Sequence, residues 1–434
     1  MKRCHGWFCV LALCCLPALA QAVRINIEGV GDVRTPIVAP PFAVTDPAMS
    51  SVAKEMAEVI TFDLEFSGLV RIMPPANYPP GFVALDPDVA KLDLNAWQMS
   101  SKAENLVFGV VSREGNQLVT QFRMFDLISK NQVLGQELRV ELKHPRLAAH
   151  KFSEEIIRHI NGTPGIGTSE IVFSAGETRH KEIYVADYDG ANALQLTKHN
   201  SVSIKPEISP DGNKIAYLSY KDRYGFLYIF DRRSGQSVPL SKEVGLNSAP
   251  AWHPNGTQLV MTLSKDGNME IYVRNADGSN PRRLTNNTFG DSSPVFSPDG
   301  QQIAFVSDRG GSPQIHVMGA DGSNQRRVSL QGGNSFDPSW SPDGKFIAYV
   351  VEKKGQGAEI YVMDAGGGNP RPVTNSHGNN ENPTWSADSR HVMFMSSRTG
   401  SHRLWAVNVA TGEEKQIPRL NMLCEGPSWG GRRQ

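Results

Sequence analysis

Asp337-Pro338-Ser339-Trp340-Ser341-Pro342-Asp343-Gly344-Lys345-Phe346-Ile347-Ala348-Tyr349 joins two short apolar runs through a turn, and its opening recurs along the chain. A proline followed two residues later by a large apolar residue stands at Pro206, Pro250, Pro294, Pro338, Pro383 and Pro427, at spacings of 44, 44, 44, 45 and 44. The apolar residue is Ile208, Trp252, Phe296, Trp340, Trp385 and Trp429. In Ser-Pro-Asp-Gly, proline fixes φ near the value a tight turn needs and glycine accepts positive φ, so the strand reverses there. A second strand starts at Ile171, Ile215, Leu259, Ile303, Ile347 and Val392, and a third at Ile183, Leu227, Ile271, Ile315, Ile360 and Leu404. A fourth ends near Thr197, Ser241, Thr285, Ser329, Thr374 and Pro418. Four strands in about 44 residues is the period of a β-propeller blade. The first copy lacks its innermost strand, and the last, at Pro427, is only an innermost strand. The two fragments complete one blade. This predicts a six-bladed all-β propeller over 169–434, closed by the C-terminal strand so that no sheet edge is left open.

Upstream the texture changes. Residues 161–168 are rich in glycine and proline and read as a linker. Residues 23–160 mix helix and strand signals and read as one small α/β domain. Within it, 36–44 is extended, and Val52, Met56, Val59 and Ile60 share one face of a helix that Gly68 stops. The runs 106–111 and 118–125 form a hairpin about Arg113-Glu114-Gly115-Asn116, and 136–142 is a further strand. Pro145 opens a last helix with Ala149, Phe152, Ile156, Ile157 and Ile160 on its buried face, and Gly162 ends it.

Residues 1–22 read as a secretory signal peptide. Lys2 and Arg3 precede a short apolar run, and Ala20-Gln21-Ala22 is a small-x-small cleavage site after Ala22. A lipoprotein signal fits worse, because Leu13 before Cys14 is large and Cys15 follows another cysteine. Cleavage leaves Cys424 as the single thiol, so no intramolecular disulfide is expected. The formal net charge of zero argues against nucleic acid as a partner. No later stretch reaches the ~18 apolar residues of a spanning helix.

The run Pro-x-Trp-Ser-Pro-Asp-Gly, then Ile-Ala-Tyr, then Ile360-Tyr361-Val362-Met363-Asp364-Ala365 resembles the repeat of the TolB family. The order of signal peptide, Val23-Arg24-Ile25-Asn26-Ile27, α/β domain and six blades is similar to that family too, over essentially the whole chain. Departures are local: His253-Pro254-Asn255-Gly256 and Ser386-Ala387-Asp388-Ser389 drift from the turn motif, and Tyr224 stands where a small turn is usual. The resemblance implies a periplasmic adaptor of the Tol–Pal system without enzymatic activity. It would bind the lipoprotein Pal through the propeller and TolA through the mature N-terminal segment 23–34, above all Val23, Arg24, Ile25, Asn26 and Ile27. It would support outer-membrane integrity and envelope constriction during cell division. Colicins in some species would use the same surface, and other outer-membrane proteins would be further partners.

Chemistry that would contradict an adaptor is absent from the sequence pattern. There is no Gly-x-Ser-x-Gly elbow, no His-Glu-x-x-His, and Gly29-x-Gly31 lacks the third glycine of a dinucleotide fingerprint. No cofactor is expected. An exported propeller enzyme or small-molecule binder, the alternative, would need a compact acid–base or metal cluster at the channel mouth. There the sequence offers dispersed residues in the segments before each proline, which are expected to cross between blades and line the mouth: Lys205, Asn247, Ser248, Ala249, Ser292, Ser293, Phe336, Asp337, Glu381, Asn382, Glu425 and Gly426. These suit an extended peptide segment held by hydrogen bonds and side-chain pockets. Nothing in them demands a cation between Asp337 and Glu381. His377, Asn379, Asn380 and Glu381 form the most polar cluster, and it reads as a ligand-facing loop.

Overall fold

The computed structural model describes residues 34–330, 332–376 and 378–433. The signal peptide and the segment 23–33 therefore lie outside the described residues, as does His377. The first domain runs β1 (Thr35–Val38), β2 (Ala43–Val44), α1 (Ser50–Phe66), β3 (Val70–Ile72), α2 (Leu94–Ser101), β4 (Asn105–Glu114), β5 (Gln117–Asp126), β6 (Gln132–Glu141) and α3 (Pro145–Asn161). Its mixed sheet has the order β3-β1-β4-β5-β6, with β2 also on β4. β1 lies parallel to β3 and β4, and β4 to β6 form an antiparallel meander. Alternation along β4 sends Val107 and Val111 to the face covered by α1 and α3, and Leu106, Phe108 and Val110 to the other. That second face is covered by Tyr78, Phe82 and α2 with its Trp97. The sequence pattern does not announce α2. The Asp93 side chain accepts from the backbone N–H groups of Asn95 and Ala96 and starts it.

The expected hairpin pairs Glu114 with Gln117, and α3 ends at Gly162, whose φ is +84°. The linker is bound at both ends of the contact it makes. Glu154 Oε1 accepts from Thr168 N (2.8 Å) and Thr168 Oγ1 (2.9 Å), and Arg432 donates to the carbonyls of Gly165 (2.5 Å) and Pro164 (2.8 Å).

Six four-stranded antiparallel sheets follow. The innermost strands are Ser203–Ile208, Asn247–Trp252, Asp291–Phe296, Asn334–Trp340, Asn380–Trp385 and Cys424–Arg432. The sixth blade is completed across the chain ends: Cys424–Arg432 pairs with Ser169–Glu177, placing Trp429 opposite Ile171 and Cys424 opposite Ala175. Several outermost strands are short, only two residues at Arg282–Arg283, Arg326–Arg327 and Arg371–Pro372, and those leave little edge to pair with another chain, whereas Gln236–Ser241 runs six residues. The tryptophans are wedges with a polar tip. Trp252 Nε1 donates to the Glu207 carbonyl and Trp385 Nε1 to the Ser339 carbonyl, each at 3.0 Å, so each indole ties its blade to the one before. An aromatic side chain removes 150–250 Å² from water, worth roughly 4–6 kcal/mol of gross transfer free energy.

The α/β domain packs on the end of the ring where innermost strands finish. Phe66, on the last turn of α1, lies 4.6 Å from the His391 ring, 5.3 Å from Tyr188 and 6.4 Å from Trp429, measured between centroids. Innermost strands therefore begin at the opposite, open end.

Candidate functional site

The pre-proline segments do not cross between blades. They lie inside the innermost strands, where each ladder breaks at the same point, for example between Ser248 and Ala251 and between Ser292 and Val295. The residue before each proline takes a left-handed backbone: φ is 51° at Lys205, 49° at Ala249, 49° at Ser293, 45° at Asp337, 56° at Asn382 and 55° at Gly426. Proline has no N–H to give the ladder, and a bulge is where that omission costs least. A left-handed non-glycine residue costs about 1 kcal/mol or more, so five of the six positions hold strain around the axis.

These bulges re-aim the side chains. Lys205, Ala249, Ser293, Asp337, Asn382 and Gly426 line a narrow axial cavity of about 140 Å³ together with the six prolines. Asn382 Nδ2 donates to Asp337 Oδ2 at 2.9 Å across two blades. The other expected mouth residues stand elsewhere. Asn247 does not face the channel. It is buried, and its amide accepts from Ser241 Oγ (2.8 Å) and Glu243 N (3.1 Å) and donates to the Glu243 carbonyl (2.8 Å). Three residues before the proline, strand alternation turns a side chain into the blade, and Asp291 and Asn380 are pinned there likewise by Arg309 and Arg398. Ser292, Phe336, Glu381 and Glu425 are half-buried and do not line the cavity. Phe336 packs between the fourth blade's neighbours.

Glu425 is paired with Lys181 and accepts from His402 Nδ1 at 2.9 Å. Burial opposes its ionisation, but the hydrogen bonds from Lys181 and His402 hold its carboxyl below the usual range. Glu381 is different: burial, and then the Asp337 charge, push its pKa up. The same face carries exposed apolar side chains at Tyr224, Val244, Met269 and Phe289, on hairpins and connections of the first three blades. Apolar groups beside polar ones at a concave mouth are the make-up of a protein-binding surface.

Glu207 went unnoticed in the sequence. It lies one residue beyond its proline, lines the cavity, and burial pushes its carboxyl up to about 7. The available signal was a column: the position after each proline reads Glu207, Ala251, Val295, Ser339, Thr384 and Ser428, one charge among small residues.

The opposite face holds the densest polar cluster. Asp63 of α1 accepts from His150 Nδ1 (2.8 Å), from Ser153 Oγ and from the Tyr188 hydroxyl (2.6 Å). All four residues are buried. Aspartate, histidine and serine here do not make a nucleophilic triad, because Ser153 donates to the carboxylate and the peptide carbonyl of His150, not to an imidazole nitrogen. His150, Asp187 and Asp189 come within reach of one metal ion. Guanidinium groups already neutralise that cluster: Arg146 and Arg419 on Asp189, and Arg433 on Asp187 at 2.5 Å.

A family model described as the TolB beta propeller domain matches residues 157–433, and one described as the TolB amino-terminal domain matches 23–133. The chain is 33% identical over 213 residues to the Tol-Pal system protein TolB of Syntrophotalea carbinolica, covering 48% of each. It is 36% identical over 217 residues to the Tol-Pal system protein TolB of Dinoroseobacter shibae, covering 47% of each. These alignments thus span about half the length of the curated relatives. The crystal structure of TolB from Acinetobacter baumannii superposes with a TM-score of 0.80 at 23% identity, over 92% of this chain and 96% of that one, which shows the shared fold.

Proposed function

The chain belongs to the TolB family, and from that premise we propose that it is a periplasmic adaptor of the Tol–Pal system. It carries no reaction of its own. It takes Pal at the channel mouth on the open face of the propeller, and TolA through the mature N-terminal segment at Val23, Arg24, Ile25, Asn26 and Ile27. By joining the two it supports outer-membrane integrity and envelope constriction during division, and colicins would compete for the same face. The observation that carries this reading is the ring of six left-handed pre-proline residues about an open axial cavity, on the face the α/β domain leaves uncovered. Side chains held in strained, fixed directions bind a partner with little further loss of freedom.

The test is calorimetric titration with the soluble domain of the organism's Pal. Asp337→Lys, which reverses a mouth charge and breaks the bond from Asn382, is expected to weaken binding at least tenfold while the melting temperature holds. Unchanged affinity would remove the mouth from the interface. Deleting residues 23–34 is expected to abolish capture by TolA and leave Pal binding intact. Retained TolA capture would place that contact elsewhere.

A further inference from the structure

Glu207 is a carboxyl that forms no ion pair with a lysine, arginine or histidine among the described residues, and its side-chain partner is the Ser428 hydroxyl. Asp337 has Asn382, and Glu425 has Lys181 and His402, while Lys205 and Glu381 nearer the mouth form no ion pair among the described residues. On the neighbouring innermost strands the side chains at the level of Glu207 are uncharged: Ala251, Val295, Ser339, Thr384 and Ser428. Charged side chains reappear only nearer the mouth, with Lys205 and Asp337. Above Glu207 sits a collar of prolines, Pro206 and its five counterparts, which offers rings and no N–H donors.

We propose that this throat receives the side chain of one lysine of the bound partner, its methylenes against the proline collar and its ammonium on the Glu207 carboxylate. The proposal rests on the reading of the open face as the Pal site and names the chemistry at its centre. A lysine is a slim apolar stem with a charged tip, and such side chains bury the stem while the head keeps a polar partner. A cavity of about 140 Å³ admits one such chain and little else. A hard divalent cation fits less well at this level, because calcium takes six to eight oxygens and the side chains beside Glu207 add only the hydroxyls of Ser339, Thr384 and Ser428, the Asp337 carboxylate standing nearer the mouth with Asn382 on it. An ammonium also explains why a half-buried acid is kept in a channel of small residues: alone, it holds a proton near neutral pH, and a cation displaces that proton.

The experiment uses the full mature chain and the soluble domain of Pal. Only the ionised carboxyl receives the ammonium, so affinity is expected to rise about tenfold between pH 6 and pH 8, with a proton released on binding. Glu207→Gln keeps the shape and is expected to bind about tenfold more weakly at pH 8 and to lose most of that slope. Glu381 at the mouth, whose pKa is also raised, accounts for any remainder. Carbodiimide coupling, which joins a carboxyl to an adjacent amine without a spacer, is expected to link Glu207 to one lysine of Pal, and Glu207→Gln abolishes the link. If Glu207→Gln binds Pal with unchanged affinity and slope, the lysine is overturned and the Pal reading stands. If wild-type protein fails to bind Pal, both fall. If calcium alone shifts the carboxyl resonance of Glu207 at millimolar concentration, the throat is a metal site and the lysine is overturned.

Discussion

The two ends of the propeller use charge in opposite ways. At the end that meets the α/β domain, charged groups are buried and matched: Asp63 with His150, Ser153 and Tyr188, and Asp189 with Arg146 and Arg419. At the open end they are half-exposed and partly unmatched, with Glu381 and Glu207 both held toward their neutral forms. A buried network tolerates no missing member, since each orphaned group bears its full desolvation cost. The domain end is therefore a permanent joint. At the open end Glu381 and Glu207 form no ion pair among the described residues.

Four changes test the contrast, the largest first. Removing 427–434 takes away the closing strand with Trp429, opens the sixth blade and frees Arg432 from the linker. The whole ring is expected to lose stability, and a truncated protein melting at the full-length temperature would sink ring closure as the source of cohesion. Next, Asp63→Ala strands His150, Ser153 and Tyr188 at the joint and is expected to cost about 3–5 kcal/mol in urea unfolding. The joint also responds to pH. Burial opposes protonation of His150, but Asp63 beside it raises its pKa. A raised folded pKa means stability fully present below the unfolded value near ~6.5 and lost as pH rises through the folded one. Asp63→Ala should flatten that loss. Smallest are changes at the mouth. Ala249→Gly relieves a left-handed alanine and is expected to stabilise by about 0.5–1 kcal/mol, while Gly426→Ala costs a similar amount. Both are read by thermal melts. A mouth change as costly as Asp63→Ala would mean that the two ends are not so different.

Much of this was legible beforehand. The blade count, the ring closure and the residues before the prolines follow from a spacing and from turn chemistry, which act over a few residues. Lys205, Ala249, Ser293, Asp337 and Asn382 do line the channel. Asn247 differs from its expected place because a position near the proline reads as a loop in the sequence, while the strand starts there and alternation turns the amide into the blade. Glu207 was missed for the same cause in reverse. The bulge resets the alternation, and a residue that reads as part of a strand's pattern faces the axis.

What the sequence by itself determined is the periodic part: six blades, their phase, and the joining of first and last fragments. Each depends on proline, glycine and aromatic residues whose preferences are local. What only the tertiary structure decided is which charges meet. Asp63 reaches His150 across 87 residues and Tyr188 across 125, and Glu207 has no ion pair among the described residues because the residues at its level on the ring are other blades' small ones. Such pairings depend on register and on which side of a bulged strand a side chain emerges, and no spacing along the chain encodes either.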